Sequence, residues 1–462
     1  MGADLTSCSE RTGAPNGLPP FAATWLATIA DHGVDMAIGI GILGGGTVGG
    51  ALLQRLIEDR EALTARTGLE LEVRRVAIRS LTKERTYRIP DALVTTDPQE
   101  VVNDPNVQLI VEVMGGLEPA GDLVLAALRA GKPVVTANKE LVAARGAELL
   151  SEAARAGVSL LFEASVGGGI PIIRPLTETL AGEPLTRVMG IVNGTTNYLL
   201  TRMTEDGAGF DEALAEAQAR GFAEADPTAD ISGADAVAKA AILASLAFGT
   251  VVSTDQVFRE GIENIRAVDV AYASDLGYVL KLLAIADKGE HGIAVRVHPT
   301  LVPKAHPLAS VRGAANAVFV EGPEVGQLLF SGPGAGGGPT ATAVLGDIID
   351  AARELLAGPR ATPRVRFGPG RIRPFEEVTT KWYLRLHVLD APGVLATIAG
   401  AFGKAKVSIK SVWQEGRGDE ATLLLITHDA READLRTAVA SLGDLDEVRE
   451  VAAAIRVQSD EP

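Results

Sequence analysis

Residues 221–241 read G-F-A-E-A-D-P-T-A-D-I-S-G-A-D-A-V-A-K-A-A and gather Glu224, Asp226, Asp230 and Asp235 into one stretch with Lys239. Asp235 and Lys239 lie four apart, so on a helix they share a face one turn from each other. A solvated ion pair at this spacing would be worth at most about 1 kcal/mol. The neighbours Val237, Ala238, Ala240 and Ile242 argue for something else. An ammonium among apolar residues is costly unless paired, so Lys239 is expected in a cleft beside the carboxylates. There it could move a proton or steady an oxyanion, while the carboxylates would attract a ligand carrying an amino group.

The elements that must hold these groups follow from the flanking residues. Asp226-Pro227 bars a helix from running through, and Asp230 and Ser232 offer N-cap oxygens, so a helix is expected from near Ser232 to residue 248. It is apolar on nearly every side, as a helix buried all round should be. Upstream, a buried strand over residues 37–43 meets Gly44-Gly45-Gly46-Thr47-Val48-Gly49 and a helix over 51–59. A G-x-G-x-x-G spacing between strand and helix lets the backbone approach a pyrophosphate at the helix N-terminus. Gly44, Gly46, Thr47, Val48 and Gly49 are therefore candidate cofactor contacts.

The strand over 71–78 ends in Arg79-Ser80-Leu81-Thr82-Lys83, with no carboxylate for a ribose 2′-hydroxyl. Arg79 and Lys83 fit a 2′-phosphate, which favours NADP(H) over NAD(H); a basic surface turn would use the same residues. After strands over 107–113 and from residue 134, Thr136-Ala137-Asn138-Lys139 falls at the carboxyl edge of a parallel sheet, where ligands bind. A plain helix cap by Asn138 is the alternative reading. A strand over 160–164 leads to a second glycine loop, 165–171, whose carbonyls suit a hard cation without demanding one. A strand over 188–192 precedes Asn193-Gly194-Thr195-Thr196-Asn197-Tyr198 and a helix over 198–203. Helices are expected over 211–220 and 271–287, and strands over 292–301 and 317–320. The glycine-rich run 331–340, which alone could be a flexible linker, opens directly into a helix over 342–356. Past a Pro- and Arg-rich linker, residues 382–457 read strand, helix, strand, strand, helix, strand, a split βαββαβ plan.

At 462 residues the chain should form two to four domains, and 47% hydrophobic with 22% charged residues is ordinary for a soluble globular protein. A net charge of −16 argues against nucleic-acid binding, which would need a basic stripe. The single cysteine, Cys8, excludes an internal disulfide, and there is neither a long apolar run nor a signal-peptide start. No membrane partner and a cytoplasmic location are expected. Residues 1–35 lack any sustained period and read as a disordered extension, with Met36 a candidate biological start.

The line G-F-A-E-A-D-P-T-A-D closely resembles the core pattern of homoserine dehydrogenases, and the likeness runs from Met36 to Val457. It implies reversible reduction of L-aspartate 4-semialdehyde to L-homoserine with NADPH, on the way to threonine, methionine and isoleucine. Carried over, Lys239 is the proton donor and acceptor, Asp235 orients it and Glu224 holds the amino acid substrate, with Asp230 beside it. T-A-N-K-E matches an Asn-Lys motif that puts Asn138 and Lys139 near nicotinamide and substrate, with Lys139 the second choice for the proton. N-G-T-T-N-Y is nearly the family's signature, so Asn193 and Thr195 line the substrate pocket. E-A-S-V-G-G-G-I-P resembles a loop that binds a monovalent cation, Na⁺ or K⁺, chiefly through carbonyls; the positions are Glu163, Val166, Gly168 and Ile170. G-P-G-A-G-x-x-P-T brings Gly336 beside the nicotinamide. Ser80 stands where the family often has Asp or Asn.

Asp390-Ala391-Pro392-Gly393-Val394-Leu395 resembles the ACT domain signature, which implies a small amino acid effector, here threonine. The expected plan is an α/β chain: a Rossmann-like NADP-binding domain over 36–161, completed by 331–357; an α+β catalytic and dimerisation domain over 162–330; a linker over 358–379; and a ferredoxin-like ACT domain over 380–457. A homodimer or homotetramer is implied. Two rival readings use the same features: another NADP-linked dehydrogenase of a small amino acid aldehyde or amine, and an amino acid sensor without chemistry. The second is disfavoured by the presence of Glu224, Asp235 and Lys239 together.

Overall fold

Short, wholly buried and mostly apolar runs such as IGIGIL, LIVE and VVT are the pattern of parallel strands covered on both faces. The computed structural model describes residues 37–358, 365–416 and 421–458; the expected N-terminal extension, with Cys8 and Met36, lies outside them. Strands β1 (Ile38–Leu43), β2 (Leu71–Ala77), β3 (Val94–Thr95), β4 (Leu109–Glu112), β5 (Val134–Thr136) and β6 (Leu160–Leu161) form a parallel sheet in the order β3-β2-β1-β4-β5-β6. The order reverses between β1 and β4, so the switch point, where such sheets bind ligands, lies at their carboxyl ends. Helix α1 (Thr47–Glu58) leaves β1, and α2 (Lys139–Ala156) leaves β5.

A second sheet begins with β7 (Arg187–Ile191), followed by α3 (Gly194–Glu205), the short helix Thr228–Ile231 and α4 (Ala234–Phe248). After β8 (Phe258–Arg259) and α5 (Ala267–Asp275) come β9 (Tyr278–Gly289), β10 (Gly292–Pro303), β11 (Ala315–Gly322) and β12 (Gly326–Pro333). Helix α6 (Gly337–Ala357) then returns to the first sheet, burying Val344, Leu345 and Ile348 in the core that also holds Leu52 and Leu53 of α1. The rest is β13 (Thr379–Val388), α7 (Val394–Lys404), β14 (Ile409–Glu415), β15 (Ala421–Thr427), β16 (Ala430–Arg431), α8 (Glu432–Leu442) and β17 (Val448–Val457). These strands do not close a sheet of their own. The path runs β12-β11-β7-β9-β10-β17-β13-β15-β14, because Thr300 and Leu301 of β10 pair with Arg456 and Val457 of β17.

Several expectations need correction. The helix expected over 271–287 is two elements: α5 stops at Asp275, Gly277 turns at φ +88°, and β9 pairs along its length with β10. Its run YVLKLLAIA is apolar without alternation because both faces are covered, and such a run carries no period to separate strand from helix. Strand β12 was not expected; among the described residues it pairs only with β11, and it is largely exposed. Helices α1, α3 and α6 begin earlier than expected, at Thr47, Gly194 and Gly337, because the turns before them already form their first turns. The stretch expected as a linker is, over residues 365–378, laid along the second sheet: Ile293 N–H donates to Arg371 O (2.8 Å), Arg373 N–H donates to Ile293 O (2.7 Å), and Phe375 is buried. Among the described residues no helix is long and apolar enough to cross a membrane.

Candidate active site

Two helix N-termini meet where the sheets approach each other. Helix α4 starts after Gly233, at φ +78°, and has no side-chain cap, so neither Asp230 nor Ser232 caps it as expected. The left-handed turn at Gly233 separates it from Thr228–Ile231, and Asp230 is used elsewhere. In the first turn Asp235 gains from the helix dipole. Lys239 Nζ donates to Asp235 Oδ2 (2.7 Å) and to the Val192 carbonyl at the end of β7 (2.7 Å). From the other helix, Lys139 Nζ lies 3.3 Å from Asp235 Oδ1. One carboxylate thus bridges two ammoniums.

Burial decides between the two readings of the pair. The side chains of Asp235 and Lys239 are each 12% exposed, against 36% for Lys139. Burial alone would raise the Asp235 pKa, but the charges of Lys239 and Lys139, with hydrogen bonds from Lys239 and Asn193, pull it down to about 2. A solvated surface pair does not look like this. With two of its three N–H groups engaged, Lys239 has one left to present to a ligand.

Asn193 adds the third side. Its carbonyl oxygen accepts from Thr196 N–H and caps α3, while its amide nitrogen donates to Asp230 Oδ1 (2.7 Å) and Asp235 Oδ2 (2.9 Å). Thr195 Oγ1 donates to the Phe222 carbonyl (2.7 Å), tying this turn to the loop that carries Glu224. Glu224 itself is exposed, and among the described residues nothing ties down its carboxylate. Asp226 is occupied locally, accepting from Thr228 N–H at 3.1 Å.

Asn138 is the helix cap that its position also allowed: Oδ1 accepts from Leu141 N–H (3.1 Å), and Nδ2 donates to Gly116 O (2.6 Å). Its carboxamide is committed to the protein, and it is Lys139, one residue on, that reaches the cluster.

The glycine turn fits a phosphate. Gly44, at φ +115°, and Gly49 are packed so that a Cβ would strike Val113 O at 2.7 Å and Gly44 O at 2.2 Å, respectively. A Cβ on Gly46 would meet no protein atom, and as N-cap of α1 this residue leaves the N–H groups of Thr47 and Val48 without a side-chain cap. The space is suited to an anion rather than to packing. Gly336, at φ +116°, caps α6 from the other side, where Gly337 packs close to Thr47. Arg79 and Lys83 are exposed. Arg85, which the motif reading passed over, organises their loop by donating to Gly45 O (3.2 Å), Lys83 O (2.8 Å) and Ser80 O (2.6 Å). No local pattern marks it, since its partners are backbone carbonyls.

In the second glycine loop the Glu163 side chain is not free for a cation. Oε1 accepts from Ile172 and Ile173 N–H (2.6 and 2.7 Å) and Oε2 from Arg174 N–H (3.0 Å), while Glu163 N–H donates to Asp347 Oδ2 (2.8 Å). The expected nearby carboxylate is therefore a helix-start cap. Phe162 O and Gly167 O take the loop hydrogen bonds from Ser165 and Ile170 N–H. Neither carbonyl belongs to the set that the resemblance implies, Glu163, Val166, Gly168 and Ile170. Among the described residues no group of three or more His, Cys, Asp or Glu could hold a metal ion.

Comparison with known proteins agrees with this layout. The family profile described as homoserine dehydrogenase, NAD binding domain, matches residues 44–163; that described as homoserine dehydrogenase matches 171–349; and the ACT domain profile matches 382–447. The homoserine dehydrogenase of Corynebacterium glutamicum is 47% identical over 433 residues, which cover 93% of this chain and 97% of that protein. The crystal structure of a homoserine dehydrogenase from Thiobacillus denitrificans superposes with a TM-score of 0.86 at 43% identity, covering 92% of this chain and 99% of that one. A hyperthermophilic archaeal homoserine dehydrogenase in complex with NADPH superposes with a TM-score of 0.59 at 31% identity, covering 71% of this chain and all (100%) of that one.

Proposed function

The chain belongs to the homoserine dehydrogenase family, NAD(P)-dependent oxidoreductases acting on a CH–OH group, and from that premise we propose that it reduces L-aspartate 4-semialdehyde reversibly to L-homoserine with NADPH, for threonine, methionine and isoleucine synthesis. The observation that carries this reading is the largely buried Lys239, held by Asp235 and Val192 O with one N–H to spare, facing Lys139 across the same carboxylate. When bound, the dihydronicotinamide supplies hydride to the aldehyde carbon. Lys239 gives its proton to the oxygen that becomes the hydroxyl, and Asp235 holds and aims the amine. Lys139, more exposed, stands on the cofactor side and steadies the same oxygen. Glu224 and Asp230 take the substrate's amino group, with Asn193 and Thr195 shaping the pocket.

Preference for NADP(H) over NAD(H) is supported by the exposed Arg79 and Lys83 after β2, on a loop that Arg85 holds, and by the NADPH bound to the archaeal relative. Na⁺ or K⁺ held by the carbonyls of Glu163, Val166, Gly168 and Ile170 would brace the glycine loop against residues 333–335. The ACT domain supports regulation by a small amino acid, for which threonine, the distal product, is the candidate. A homodimer or homotetramer in the cytoplasm completes the proposal. The test is spectrophotometric: NADPH oxidation by the full-length protein on addition of the semialdehyde, with and without threonine. Lys239→Ala should lower kcat by about 10²–10⁴-fold. Retention of most of kcat by that variant would remove Lys239 from the chemical role.

A further inference from the structure

Glu112 ends β4 beside the switch point with its side chain wholly buried. A carboxylate there must be met by donors, and three meet it. Oε1 accepts from the N–H groups of Met114 (2.7 Å) and Gly115 (3.1 Å), and Oε2 accepts from the Thr136 hydroxyl at the end of β5 (2.6 Å). Thr136 Oγ1 accepts in turn from Asn138 N–H (3.0 Å), and Asn138 Nδ2 returns to Gly116 O (2.6 Å). The hydrogen bonds close a ring through one turn, two strand ends and one helix cap.

Two parts of the site hang from that ring. One is the turn Met114-Gly115-Gly116, which starts against Gly44 of the glycine turn, where a Cβ would meet Met114 N at 3.0 Å; both its glycines have φ +76°, and Met114 is 38% exposed. The other is Lys139, the first residue of α2, whose amine meets Asp235. We propose that Glu112 is a positioning residue: through two amides it sets the cofactor-facing turn, and through Thr136 and Asn138 it sets Lys139, touching neither substrate nor cofactor itself. The inference rests on the nicotinamide-linked reduction proposed above.

The ring makes the two roles separable. Thr136→Val deletes the hydroxyl link from Glu112 to α2, leaving the Asn138–Gly116 bond and both turn amides on Glu112. Glu112→Gln can keep the turn, since its carbonyl oxygen accepts both amides, but it faces Thr136 with a donor and reverses that bond. Glu112→Leu abolishes everything. NADPH binding, followed by nucleotide fluorescence, and steady-state reduction of the semialdehyde are measured on full-length proteins. Thr136→Val and Glu112→Gln should bind NADPH within about twofold of wild type and lose about tenfold in kcat, whereas Glu112→Leu should weaken NADPH about tenfold as well. A general loss of stability would not split Kd from kcat in this way. A folded Glu112→Leu variant that binds NADPH like the wild type overturns the proposal, as does an unchanged kcat in Thr136→Val. If Glu112→Leu fails to fold, the other two variants decide by the same criteria. A wild-type protein that neither binds NADPH nor reduces the semialdehyde would instead sink the functional reading before any variant is compared.

Discussion

At the scale of single residues, Asp235 is the side chain on which the cluster balances, because it faces Lys239, Lys139 and Asn193 at once. Replacing it with Asn keeps the shape and removes the charge, leaving two ammoniums facing each other over a neutral amide. Asp235→Asn is expected to lose about 2 kcal/mol in urea unfolding and about 10²-fold in kcat. The pH dependence has a definite sign. Its folded pKa, about 2, lies below the unfolded value near 3.9, so its contribution to stability is present above about pH 4 and lost as pH falls towards 2. Any acid limb in activity between pH 5 and 7 must then belong to another group; a limb abolished by Asp235→Asn in that range would contradict the assignment. Asp235 and Lys239 were legible because an i, i+4 pair in an apolar helix has few explanations. The neighbouring Asn138 was less so: an asparagine before a helix reads alike as a cap or a ligand, and only its bonds to Leu141 and Gly116 separate the two.

At the scale of elements, β9 shows both where reading from periodicity fails and why. Its buried Lys281 sits in an apolar run, and Nζ donates to Asn197 Oδ1 (2.9 Å) and Val311 O (2.6 Å), two neutral acceptors. A lysine among Val, Leu, Ala and Ile gives no period, and its partners come from α3 and the loop before β11, far along the chain. Burial, with Arg312 adding to it against Glu205, brings the Lys281 pKa down to about 8. The consequence for stability runs opposite to that of an ion pair. Below pH 8 the charged form is penalised in the fold, and between about 8 and 10.4 the unfolded chain holds more protons, so this group makes stability rise with pH. Wild type should therefore gain roughly 2 kcal/mol on Lys281→Met between pH 8 and 10, read from paired urea titrations. A difference independent of pH would mean that the amine titrates alike in the folded and unfolded chains, and so is not held buried as described.

At the scale of the whole molecule, the C-terminal βαββαβ plan was legible from its own strands and helices, but its attachment was not, because the contacts join residues more than a hundred positions apart. Strand β17 continues the sheet of β10, and Arg456 at that seam is paired with Glu432 and Glu260. Arg385 of β13 makes a two-pronged pair with Asp269 of α5 (2.7 and 3.0 Å), and both side chains are buried. Tyr272 of α5 donates to Glu415 of β14 (2.8 Å). Helix α5 packs against α3, whose cap Asn193 holds Asp230 and Asp235, so a shift in the C-terminal strands has a short mechanical route to the lysines. Removing residues 380–457 would therefore unpair β10 at Thr300 and Leu301 and deprive Asp269 of Arg385, and the truncated chain is expected to aggregate rather than report on regulation. A substitution cycle is the better probe. Arg385→Leu alone should cost about 3–5 kcal/mol, because it strands a buried carboxylate, while Arg385→Leu with Asp269→Leu should recover most of that loss. If the proposed regulation by threonine acts through this pair, the double variant keeps wild-type kcat and responds to threonine only at higher concentration. Unchanged inhibition curves in a stable double variant would move the route to the Arg456 seam, where the same cycle can be run with Glu432.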